Sequence, residues 1–391
     1  MNYVRNRGRV LLWACTLSGL LGWALVACSS GDGDAGAPPT PTSTVFSVSL
    51  SGDQEVPPTI TGAVGTGSLT FASPSLAISG GLSVNGVTAT AAHIHQAVAG
   101  ANGGVIVPLA ESPAGSGNWQ VPANTVLTPA QADALVAGGL YFNAHSTANP
   151  SGDVRGQIGR DVFAVQMSSA QEVPRNTSEA SGRGLLVLDP VSKKFTANLS
   201  VTGMTATAAH IHTGAAGSNG GVTFPLTETS AGSGVWTAAS DASMTDAQIT
   251  TLKAGGMYFN AHSAAFTGGQ VRGQIARDVR VVTLEGTQEV PATASAATGT
   301  GTLVVDPSTR AASGGIVVTA MTATAAHVHI AAVGVNGPVI VPLTNAGDGV
   351  FNVPAGSILT ADQYAAFKQG NLYFNAHSAA NPGGEIRGQI R

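Results

Sequence analysis

The sequence predicts an all-β protein of three tandem antiparallel β-sandwich domains, immunoglobulin-like or Greek-key in type, each with one short helix. Three observations carry that expectation. The motif Gln-Glu-Val-Pro begins at Gln54, Gln171 and Gln288, twice at a spacing of 117 residues. Between these marks apolar residues mostly alternate with polar ones, the period of a half-buried strand. The composition, 51 Gly and 20 Pro in 391 residues with 10% charged and 5% aromatic, suits short strands joined by turns. A period of 117 residues is domain-sized, so each copy buries a core of its own.

In chain order, Arg5, Arg7 and Arg9 precede an apolar stretch from Val10 to Ala27, the layout of a secretory signal. Leu25-Val26-Ala27-Cys28 resembles the bacterial lipoprotein box, which implies cleavage before Cys28 and a lipid on its sulfur. An uncleaved membrane helix is the alternative. Cys15 would leave with the signal, and Cys28 would be occupied by lipid. No internal disulfide is then possible, so stability rests on core packing or metal. Two acyl chains would anchor the protein firmly, and Ser29 after Cys28 favours the outer membrane or cell surface of a Gram-negative host. Residues 29–44, rich in Gly, Pro, Ser and Thr, read as a tether.

The copies follow as 45–160, 161–277 and 278–391. Each opens on an alternating strand, Phe46-Val48-Leu50 in the first and Phe163-Val165-Met167 in the second, while Arg280 breaks the alternation in the third. Strands then lead into AAHIH or AAHVH. Asn102-Gly103, Asn219-Gly220 and Asn336-Gly337 mark the next turn. A helix start is written as Thr128 with Gln131, Thr245 with Gln248 and Thr360 with Gln363, each a capping box. Pro129 suits the first helical position and Gly138 the stop. Trp119, Trp236 and Phe351 occupy matching positions and read as core. Last come YFNAHS and a strand containing RGQI.

QEVPP, AHIHxxxxGxNGxVxxPL and LYFNAHSxxxPxGxxRGQI, in this order and at this length, closely resemble the CHRD domain, named after chordin and also present in bacterial surface proteins. The resemblance covers all three copies and implies an extracellular β-rich module. It supplies no reaction and no catalytic residue.

All nine histidines fall in these motifs, as His93, His95 and His145; His210, His212 and His262; His327, His329 and His377. Alternate strand residues point to one side, about 6.5–7 Å apart, so H-x-H converges two imidazoles. A third strand brings the last one. Three histidines around an open position suit zinc or copper, one ion per domain. Packing and hydrogen bonding to loop carbonyls is the competing use. The H-x-H strand is also similar to that of copper,zinc superoxide dismutase, but bridging His, zinc subloop and disulfide are missing.

Arg155, Arg272 and Arg387 near the end of each copy, and Glu55, Glu172 and Glu289 near its start, are expected to pair and join the terminal strands. Asn143, Asn260 and Asn375 precede the third His by two and serve either a ligand His or a turn. The acid before the Arg is Asp153, then Gln270, then Glu385, so an essential acid there would leave the second copy inactive. The net charge of −4 excludes a basic nucleic-acid surface. The sequence therefore reads as an exported, lipid-anchored, non-catalytic binding or scaffold module for an unidentified extracellular or periplasmic ligand, with a three-His site per domain. Copper or zinc buffering is the alternative, and a superoxide-dismutase-like metalloenzyme a more distant one. The short junctions place adjacent domains close together.

Overall fold

The computed structural model describes residues 42–391; the expected signal, Cys15, Cys28 and the expected tether up to residue 41 lie outside the described residues. In the first domain the strands are β1 (Thr42–Ser51), β2 (Val64–Ser73), β3 (Ala77–Asn85), β4 (Ala89–Gln96), β5 (Gly104–Pro108), β6 (Ala110–Glu111), β7 (Asn118–Gln120), β8 (Leu140–Ser146) and β9 (Val154–Gln157). Helix α1 (Pro129–Val136) lies between β7 and β8. Because β1 begins at Thr42, the last three residues of the expected tether are strand, paired with Ser73, Ala72 and Phe71.

All pairings are antiparallel, in the order β5-β4-β8-β9-β1-β2-β3-β7-β6. The two layers of the domain are thus halves of one rolled sheet. In the second domain the roll closes into a barrel, because Val222–Glu228 runs unbroken and pairs with both of its neighbours. In the first domain Leu109 separates β5 from β6 at the same place. Inward-facing Leu50, Leu69, Ile94, Phe142, Val154 and Ile158 are wholly buried; each such side chain contributes roughly 1.5–3 kcal/mol. The capping boxes form as read, with Gln131, Gln248 and Gln363 backbone N–H groups donating to their Thr hydroxyls. Gly138 follows α1 at φ +74°, the left-handed conformation that stops a helix. Trp119, Trp236 and Phe351 are buried in their cores.

The repeats pack by a repeated relation. Arg160, at the first junction, pairs with Asp189 at 3.4 Å, and Arg277 pairs with Asp306 at 3.1 Å. The third domain also reaches the first. Lys368 is paired with both Asp53 and Asp278, and Arg310 Nη1 donates to Gly62 O at 3.2 Å.

Candidate metal centre

The site forms on the outer face of the sheet. Ile94 and Phe142 point into the core, so their neighbours His93, His95, Tyr141, Asn143 and His145 point outward. Tyr141 and Asn143 are nevertheless only 2% and 3% exposed. The segment around Glu55 and the loop between β4 and β5 roof this face, giving it a polar interior.

A β-bulge between Ile94 and His95 shifts the pairing of β4 with β5. The same break occurs at Ile211/His212 and Val328/His329. Bulges re-aim side chains, and this one sets Gly103 beside His95. His95 Nδ1–H donates to Gly103 O at 2.9 Å, and His145 Nδ1–H donates to Pro150 O at 3.1 Å. Both bonds leave a lone pair on Nε2. His93 Nδ1 lies 3.1 Å from His145 Nε2, and His95 Nε2 is buried without a partner. In the second domain His210 Nδ1, His212 Nε2 and His262 Nε2 are all buried and unpartnered. Within each triad, including His327, His329 and His377, the candidate ligand atoms lie within 4.8 Å of one another.

These atoms fit a cation. Nitrogens bound to one zinc lie about 3.3 Å apart when each Zn–N distance is about 2.05 Å, the spacing His93 and His145 already have. Unshared lone pairs facing one another across a buried space repel unless a proton or metal lies between them. Burial also holds His93, His95 and His145 below the ordinary imidazole range, which keeps the neutral form that ligates. The same holds for His210, His212, His327, His329 and His377.

Behind His95 stands a stack. Its ring lies against Tyr141 at 5.0 Å and 14°, and the Arg155 guanidinium sits 3.6 Å from the centre of the Tyr141 ring. Tyr258 with Arg272 and Tyr373 with Arg387 repeat this at 3.5 Å. The expected Glu–Arg pair does not form. Among the described residues, no ion pair joins Glu55, Glu172 or Glu289 to these arginines. Instead Arg155 donates to Val98 O, Ala101 O and Gln157 Oε1 at 2.8–3.0 Å. The roof loop offers carbonyls that fit the guanidinium fork, so the arginine clamps the loop. Arg272 and Arg387 bond their own loops in the same way.

The glutamate turns to the asparagine. Asn143 Nδ2 donates to Glu55 Oε2 at 3.3 Å and Asn260 to Glu172 likewise, while Asn375 donates to both oxygens of Glu289 at 2.8 and 3.0 Å. Neither a ligand imidazole nor a turn takes this amide. Burial, partly offset by the nearby arginine and the asparagine, raises all three glutamates to about 7. The variable acid position faces serines. Asp153 accepts from Ser146, Glu385 accepts from Ser295 at 2.7 Å, and Gln270 donates to Ser178 at 2.7 Å. Tyr141 and Gln157, with their repeats, are further parts of the site; both sit inside the repeated motifs, whose chemistry is visible only once the roof is in place.

A sequence model of the CHRD domain matches residues 46–158, 163–275 and 280–390. The chain belongs to the CHRD family. No curated protein and no solved structure matches it. Each CHRD domain here thus carries one complete copy of the histidine triad, the Tyr–Arg stack behind it and the Glu–Asn pair beside it.

Proposed function

We propose that this CHRD protein is an exported, lipid-anchored surface module that does no chemistry and binds one zinc or copper ion in each domain. The observation that carries the metal reading is the set of converging imidazole nitrogens, with His95 and His145 oriented by carbonyls on their far sides; export and the lipid anchor rest on the N-terminal sequence. Such far-side bonds fix the tautomer and orient a metal ligand. His93, His95 and His145 would hold the first ion, His210, His212 and His262 the second, and His327, His329 and His377 the third. Bound metal would supply a cross-link between β4 and β8, replacing the disulfide that an exported chain of this kind cannot form. The N-terminal lipid, attached through Cys28, would hold the domains at a membrane surface, where they present a binding face to an extracellular or periplasmic ligand.

Two features favour the non-catalytic reading. The acid position that would serve as a base is Gln270 in the second domain, and its counterparts bond to serines rather than histidines. The raised glutamates are held by asparagines. A metal-buffering role is the second reading, favoured by the half-buried rings of His93 and His145, which leave the site reachable.

The test is elemental analysis of the untagged chain after exposure to zinc and to copper. About three ions per chain are expected, and His95→Ala should remove one of them. Metal content no higher than in a variant lacking all nine histidines would reject metal binding. Equal thermal stability of loaded and stripped protein, with rapid ion exchange, would favour buffering over a structural ion.

A further inference from the structure

The two junctions within the chain are the same contact made twice. At the first, Val56 and the Ala99-Gly100 loop of one domain face Val162, Ala164 and Leu185 of the next, enclosing a cavity of about 320 Å³. At the second, Val173 and Ala216-Gly217 face Val279, Val281 and Thr302 around about 200 Å³. These positions correspond one for one at the 117-residue offset. A contact made by one face with a different face is head-to-tail and leaves both faces unmatched at the ends of a row.

Both unmatched faces are present and open. The first domain has a groove of about 360 Å³ lined by Thr66, Gly67, Ser68, Leu82, Ser83 and Asn118, among others, the counterparts of the receiving face in the later domains. Beside this groove on β1, Val45 is 63% exposed, whereas its counterpart Val279, covered by the second domain, is 5% exposed. At the other end, Val333 of the third domain, the counterpart of Ala99 and Ala216, is 57% exposed. We propose that the third domain of one chain docks its Val290 and Val333-Gly334 segments into the first-domain groove of a second copy, so that chains associate head to tail through the contact that already joins their own domains.

The side chains at the open ends are complementary. Across the junctions, Ala99 faces the surface containing Ala164, and Ala216 the surface containing Val281. At the open ends the receiving residue shrinks to Ser47 while the inserting one grows to Val333. Large against small is how facing surfaces conserve volume. Thr66-Gly67-Ser68 also nearly repeats Thr300-Gly301-Thr302, which already receives the second domain. The contact uses neither the histidines nor their ligand atoms, so it stands apart from the metal reading.

The experiment is sedimentation velocity of the full chain in detergent across a wide concentration range. It compares the wild type with Ser47→Arg, which sets a bulky charge beside the groove opposite Ser68, and with Val333→Glu, which places an unpaired charge on the inserting loop. The wild type is expected to form a concentration-dependent series extending past the dimer. Each variant alone should stay monomeric, while their mixture, with one intact face on each chain, should form a dimer and stop there. Circular dichroism and melting of the variants check that they fold, and Ser68→Arg is a second block on the groove. A wild type that stays monomeric throughout, or an association that survives both substitutions, would overturn the proposal.

Discussion

His95 and Tyr141 grip the same glycine, His95 at its carbonyl and Tyr141 at its N–H. The His95 Nδ1–H donates to Gly103 O at 2.9 Å, and the Gly103 N–H donates to Tyr141 Oη at 3.1 Å. The two rings are themselves stacked. A Cβ on Gly103 would lie 1.9 Å from Gln96 O, so only glycine lets the loop come this close. The ring that presents a free Nε2 is therefore held by packing, by a hydrogen bond and by a neighbour sharing that bond's partner.

Tyr141→Phe keeps the stack and removes the acceptor for Gly103. The expected result is a fall of about tenfold in metal affinity of the first domain, the lower end of what outer-shell changes cost, with the other two domains unaffected. Calorimetric titration with zinc checks this, since one of three binding events should weaken while two stay in place.

Arg155→Met removes a buried guanidinium whose three acceptors include two loop carbonyls, Val98 O and Ala101 O. Those carbonyls would lose their donors and the roof would loosen. A loss of about 3 kcal/mol is expected, read from the denaturant midpoint. Arg155→Lys should recover only part of it, because an ammonium cannot reproduce the fork.

Glu55 titrates at about 7 in the folded chain, against an ordinary value of 4.5. The folded state then binds a proton that the unfolded state has already released across this window. Stability must fall as pH rises from about 4.5 to 7. Glu55→Gln abolishes that loss in the first domain. The variant should gain on the order of 2 kcal/mol over the wild type between pH 5 and pH 8. Denaturant midpoints of the two proteins at both pH values test it; parallel pH dependence would mean an ordinary carboxyl.

Lys368 has an 11% exposed side chain and faces Asp53 of the first domain and Asp278 of its own. Burial alone would lower it, but the two carboxylates hold the ammonium above its usual range. Lys368→Met leaves two carboxylates facing each other. About 3 kcal/mol of destabilisation is expected, and hydrogen exchange should rise around Asp53 and the third helix before the cores respond.

The histidine triads are legible in the sequence, because H-x-H sets two rings on one strand face and the repeat sets the third His after them. The capping boxes were legible for the same local reason. The Glu–Arg pairing failed because Arg155 had a choice of partners. Arg155 pairs beside Ser51 at the end of β1, and Glu55 follows four residues later outside the strand, but only folding brings the carbonyls of Val98 and Ala101 within reach. Asn143 lies on the strand of His145, two residues before it, but its partner is Glu55 rather than a ligand His or a turn, and that again depended on the roof. The period of two puts Tyr141 on the strand face of Asn143 and His145, but its stacking on His95 depends on the neighbouring strand β4.

By itself the sequence determined the repeat, the all-β class, the helix starts and which imidazoles share a strand face, since periodicity and spacing act along the chain. The tertiary structure alone decided that an outer sheet face becomes a covered polar site, and which donor meets which acceptor under the cover. It also decided that the third domain returns to the first while the groove on the first stays open. Those outcomes depend on loops and domains meeting across long stretches of chain, where burial and the supply of partners, rather than local pattern, set the lowest free energy.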